Sequence, residues 1–162
     1  MFVKPQFRIF LVAFAFILVA SALPAQSEVD LIRQIWGQEK KELINQYLEL
    51  SDQEAEAFWP LYESFMEEKA ELVNARVAQI QDYGNNLTTM TSDKAKQITT
   101  AVLANDIKYL KLQQKYYKKM SKAITPLRAS EYLQVERYLD TAIRSEVQEA
   151  IPFIGEIKQL QN

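Results

Sequence analysis

Between residues 52 and 123 the apolar residues recur with the period of an α-helix, twice, over stretches of equal length. With Phe58 at zero and about 100° per residue, Leu61, Tyr62, Phe65, Leu72, Val73, Ile80 and Tyr83 all fall within about 60° of it. Glu56, Glu63, Glu67, Glu71, Asn74 and Asp82 fall on the opposite side. The spacing predicts an amphipathic helix over 52–83. Gly84, in Tyr83-Gly84-Asn85-Asn86, suits the left-handed position that ends a helix. Residues 92–123 repeat the pattern, with Ile98, Val102, Tyr109, Leu112, Tyr116 and Met120 on one face. Helices of this length are each about 48 Å long, and the short link at 84–91 makes them antiparallel neighbours.

Two shorter helices flank this pair. One covers about 126–150, between Thr125-Pro126 and Pro152, with Tyr132, Leu133, Leu139, Ile143 and Val147 on one stripe. The other covers about 29–49, with Val29, Ile32, Ile35, Trp36 and Leu43 inward and Gly37 weakening its middle. The expected fold is therefore all-α: a long antiparallel helical hairpin with two shorter flanking helices. A long thin hairpin has much surface for its volume, so a homodimer that buries the remaining apolar face is expected.

Composition narrows the chemistry. Only 3 Gly and 5 Pro are too few for the many tight turns of a β-sandwich or barrel. With no Cys and no His, the chain has no thiol chemistry, no disulfide and no zinc finger. It also has no His for acid–base work or for a catalytic triad. The formal net charge of -2 gives no global basic field, so no nucleic-acid partner is expected. There is no Gly-rich phosphate loop, nucleophile elbow or HExxH, and the carboxylates follow the polar faces of helices. No enzyme activity, cofactor or metal is expected.

The beginning of the chain reads as a targeting segment. Lys4 and Arg8 precede an unbroken apolar run from Ile9 to Ala20, followed by Ser21-Ala22-Leu23-Pro24-Ala25. That is the order of a secretory signal peptide, with cleavage after Ala22 or Ala25, the latter favoured because Pro24 breaks the preceding helix. The apolar run is shorter than the roughly 18–20 residues needed to span a bilayer. Residues 1–25 are thus read as a signal peptide, 26–152 as one helical domain and 153–162 as a tail. Without Lys4 and Arg8 the net charge becomes -4. A periplasmic location is expected; the alternative is an inner-membrane anchor that stays uncleaved.

Two helix starts share a layout. Leu50-Ser51-Asp52-Gln53-Glu54 is a capping box in which Ser51 and Glu54 satisfy each other's amides. Ile124-Thr125-Pro126-Leu127-Arg128 has the same apolar residue, hydroxyl cap and helix start, with Pro126 placed as first helical residue. Arg128 stands where a full box has Glu or Gln. Two well-capped helices would read the same way. With the exported, helical character of the chain, these starts resemble the LTXXQ-motif periplasmic proteins, the Spy- and CpxP-like chaperones and envelope-stress sensors. The resemblance covers most of 45–145. It departs from the family pattern at Ser51 and Glu54 in the first motif and at Ile124 and Arg128 in the second. Phe58-Trp59-Pro60-Leu61-Tyr62 looks like a divergent branch. The resemblance implies a curved, often dimeric cradle that binds unfolded or misfolded proteins without ATP, or reports damage to a sensor protein. Zinc, bound by some relatives, finds no His or Cys here.

The remaining candidates come from helical phase. Lys108, Lys111, Lys115, Lys118, Lys119 and Lys122 occupy an arc of about 100°, displaced by about 120° from the apolar centre of their helix. Such a row can attract acidic clients, or an anionic membrane surface if the chain is instead a structural or peripheral membrane-surface protein without chaperone activity. It can equally form a charge zipper with the acids of helix 52–83. Trp59 and Met66 sit at the edge of the apolar stripe, suited either to clients or to the core. Lys69 and Arg76 lie mid-stripe and need partners or an exit to water; Glu136 and Asp140 lie similarly on the last helix. Pro60, inside the first long helix, is expected to kink it.

Overall fold

The computed structural model describes residues 39–149 and 151–152. The signal peptide expected over 1–25, most of the helix expected from 29 and the tail from 153 lie outside the described residues. The chain divides into two compact units, Met1–Leu43 and Ile44–Asn162. Of the first, residues 39–43 are described, and they are helical. Everything below concerns the second.

The described residues are all-α, with no strand among them. In this unit α1 is described over 44–48, α2 is Asp52–Asn86, α3 is Ser92–Ala123 and α4 is Pro126–Glu149. None of the described helices is long and apolar enough to cross a membrane. Each start has a chemical reason. Glu49 takes a left-handed φ of 44° that ends α1. Ser51 then caps α2: its side chain accepts from the Glu54 amide while Glu54 Oε2 accepts from the Ser51 amide at 3.0 Å. Thr91 Oγ1 accepts from the Lys94 amide, and Thr125 Oγ1 from the Arg128 amide, both at 3.2 Å. Each hydroxyl satisfies one of the orphan amides of a helix start.

Gly84 departs from expectation. It is not left-handed; α2 runs through it to Asn86 and tightens into a 3-10 turn at Leu87–Thr89. The Leu87 amide donates to the Gly84 carbonyl, so this end is satisfied without a positive φ. Pro60 is exposed and lies within the continuous α2, where its carbonyl accepts from Ser64 Oγ at 2.9 Å.

The contacts set the register. Lys94 meets Asp82 at 2.7 Å, the Arg76 guanidinium meets Asp106 at 3.3 Å, and Lys115 meets Glu68 at 2.6 Å. Partner numbers fall on α2 as they rise on α3, so the two run antiparallel. Between α3 and α4, Arg144 meets Asp106 at 3.0 Å and Ser130 meets Tyr117 at 3.4 Å, again antiparallel. Helices α2 and α4 are therefore parallel, and their capped starts lie together, with Arg128 3.9 Å from Glu54.

The core is aromatic. Phe58, Tyr62, Phe65, Tyr116 and Tyr132 are each buried to within a few per cent. Tyr132 of α4 stands edge-on to Phe58, Tyr62 and Phe65 of α2, with centroids at 5.2, 6.0 and 6.2 Å. Such edge-to-face pairs are worth about 0.5–1.5 kcal/mol each beyond the area they bury. Met120, Leu139 and Ala129 complete the packing. Two residues assigned to the inner face are half-exposed instead, Val73 at 42% and Ile143 at 38%. Val73 lies at the margin of its stripe, and Ile143 lies beyond the aromatic core.

Candidate functional site

All six lysines of the α3 row are exposed. Lys115 Nζ donates to both oxygens of Glu68, at 2.6 and 2.7 Å. Glu68 also accepts from the Tyr116 hydroxyl at 2.7 Å, and these two donors hold its carboxyl below the usual carboxylate range. Burial, helped by Glu68, pushes the Tyr116 phenol up to about 12. Lys119 lies over the Tyr116 ring, 4.8 Å from its centroid. Lys108, Lys111, Lys118 and Lys122 have no ion pair within 4.0 Å among the described residues. The charge zipper is thus realised at one lysine of the row, and four ammonium groups are left to water. Lys108, Lys111 and Lys115 form one wall of a shallow groove floored by Leu72 and Leu112, with Glu68 and Glu71 opposite.

Beside this row stands a feature that sequence reasoning missed. Leu103, Ile107 and Leu110 project from α3 with 58%, 54% and 52% of their surface exposed. Their i, i+4, i+7 spacing makes a ridge, about 100–160° round the helix from buried Tyr109. The signal was present as apolar residues out of phase with the core stripe. Phase analysis that seeks one stripe passes over a second.

Trp59 and Met66 are half-buried, and Trp59 packs edge-on against Phe58 and Tyr62 at 5.1 and 5.4 Å. They lie about 160–180° round α2 from Glu68, the residue that meets the lysine row. The structure does not bring them together with the lysines. Of the motif residues, Ser51, Glu54, Thr125 and Arg128 are occupied with capping and with one another. Arg128 also pairs with Glu131 at 3.1 Å, and Leu50 and Ile124 are half-buried beside the caps.

The mid-stripe charges meet in the core. Lys69 Nζ donates to Glu136 Oε1 at 2.7 Å and to Asp140 Oδ1 at 2.6 Å, and its ammonium lies 5.4 Å from the Tyr109 ring centroid. Glu136 is fully buried, and Lys69 is 8% exposed. Burial alone would lower the Lys69 pKa. The two carboxylates outweigh it and raise the value, so the ammonium stays charged. The Tyr109 hydroxyl donates to Asp140 Oδ2. Arg76 takes a different partner, Asp106, which it shares with Arg144. Asn105 is also buried, and it donates to the Leu72 carbonyl at 3.1 Å. Among the described residues no group of three or more carboxylates could hold a metal ion. Every partner of this network is another part of the fold, whereas the lysine row and its ridge face outward. No family model, curated protein or solved structure matches this chain.

Proposed function

We propose that the chain is an exported helical binding protein of the LTXXQ type, a chaperone that works without ATP or a modulator of the envelope-stress response. Its surface contacts would be reversible. The lysine row attracts acidic or partly unfolded chains over a range near the Debye length, about 8–10 Å at ordinary salt. Exposed apolar side chains then hold them briefly. The observation that carries this reading is the set of four exposed lysines without ion pairs on α3. An ammonium already neutralised by a neighbour attracts little.

The test is light scattering of a reduced or heated unrelated protein, with and without the purified chain, in the absence of nucleotide. Dose-dependent suppression that weakens with added salt is expected. Absence of suppression at every molar ratio overturns general client binding.

A further inference from the structure

Helix α3 carries two rows on its outward half. The apolar ridge of Leu103, Ile107 and Leu110 spans about 10 Å along the axis, and the lysines from Lys108 to Lys122 span about 21 Å. The rows abut. Ile107 lies about 160° round the helix from Tyr109, Lys118 about 180° and Lys111 about 200°. All three ridge residues are more than half exposed, and the lysines of the adjoining edge have no ion pair among the described residues. An apolar strip continued along the helix by ammonium groups is complementary to an apolar strip continued by carboxylates.

A second copy of α3 offers these lysines only two carboxylates, Asp93 and Asp106. In a two-fold antiparallel pairing centred on Ile107, each residue meets the one equally far on the other side. Leu103 would then face Lys111, and Lys118 would face Lys96. A flat anionic bilayer fits poorly as well. Glu68 and Glu71 of α2 share the groove with Lys108 and Lys111. A planar negative surface meets these acids together with the lysines, on a chain whose net charge is already -2. A partner one helix wide meets the lysine edge alone.

We infer that the outer face of α3 docks an acidic amphipathic helical segment of a partner protein. Its leucine-like side chains lie on Leu103, Ile107 and Leu110, and its carboxylates lie along Lys111, Lys118 and Lys122. This surface deepens the binding-protein reading and rests on it, by giving that activity a place and a partner chemistry.

The experiment titrates the full chain into a fluorescent synthetic helical peptide, followed by anisotropy. The peptide carries leucines at i, i+4 and i+7 and glutamates that continue beyond them on the same side. A peptide of the same composition in scrambled order and phosphatidylcholine vesicles containing phosphatidylglycerol are run beside it. The patterned peptide is expected to bind at least about tenfold more tightly than the scrambled one, since only it presents both rows on one side. Lys111→Glu with Lys118→Glu should weaken binding by at least about tenfold and flatten its salt dependence. Ile107→Ser should weaken binding with the salt dependence retained. Circular dichroism checks that each variant keeps its helicity. Equal binding of both peptides, an unaffected charge-reversal variant, or binding of vesicles without binding of peptide overturns the surface. Aggregation suppression without peptide binding overturns this surface and leaves the chaperone reading standing. Peptide binding without suppression does the reverse.

Discussion

Lys69 on α2 and Lys118 on α3 carry the same ammonium on the same kind of helix. Lys69 is 8% exposed, held between Glu136 and Asp140 and laid against aromatic rings. Lys118 is exposed and has no ion pair among the described residues. The difference follows from position on the helix circumference. A cation in the core arc must find carboxylates or the fold fails, so its chemistry is committed to structure. A cation on the outer arc makes no such demand, and its field reaches whatever approaches.

The sharpest way to break this comparison is to remove the buried ammonium. Lys69→Met should destabilise the chain by about 3–5 kcal/mol, because it takes the cation from beside a fully buried carboxylate. A urea unfolding series checks this through the midpoint at constant slope. Combining it with Glu136→Leu should recover much of the loss, since an apolar pair of similar volume replaces a buried ion pair at little cost. If Lys69→Met costs no more than an ordinary surface change, the network is not what joins α4 to α2.

Thr125→Ala comes next in size. It removes the cap of α4, the helix that supplies both carboxylates to Lys69, and should cost about 1 kcal/mol in the same assay.

Acid titration reads the exposed carboxylates directly. Glu68 and Glu54 both have carboxyls held below their ordinary value, Glu68 by the hydrogen bonds of Lys115 and Tyr116, Glu54 by those of Ser51. A depressed folded pKa contributes stability above the ordinary value of 4.5 that is lost as pH falls through the folded value. Glu68→Gln should therefore lower stability in the neutral range, converge with the parent at low pH, and so flatten the decline below pH 4.5. A thermal melt at each pH reads this out.

The smallest expected effect is that of Lys118→Ser, within about 0.5 kcal/mol of the parent in stability, as for most surface substitutions. A clear loss of stability there would assign Lys118 to the fold and dissolve the contrast with Lys69.

Much of this fold is legible in the residue pattern, for a physical reason. Phe58, Tyr62, Phe65, Tyr109, Tyr116 and Tyr132 fall on single stripes because one face of each helix meets its neighbours, and periodicity reports that directly. The caps at Ser51 and Thr125 are local chemistry and equally readable. The boundary at Gly84 was not, because a helix end can be satisfied by a 3-10 turn as well as by a left-handed glycine. The pairing of Lys69 with Glu136 and Asp140 could be suspected from their shared apolar phase. Arg76 choosing Asp106 could not, since partner choice depends on register between helices. The outer ridge was hidden for a different reason: burial arguments treat apolar residues as core, and Leu103, Ile107 and Leu110 are apolar without being core.

The Lys69 network also bears on the order in which the chain assembles. Its two carboxylates lie 67 and 71 residues downstream, both on α4. Helices α2 and α3 can zip together from their short turn early, because those contacts are close along the chain. Until α4 arrives, Lys69 can keep its charge only by staying hydrated, so the aromatic core cannot shut dry around it. The ammonium thus acts as a checkpoint on closure, and a chain truncated before α4 would hold its inner face open to water.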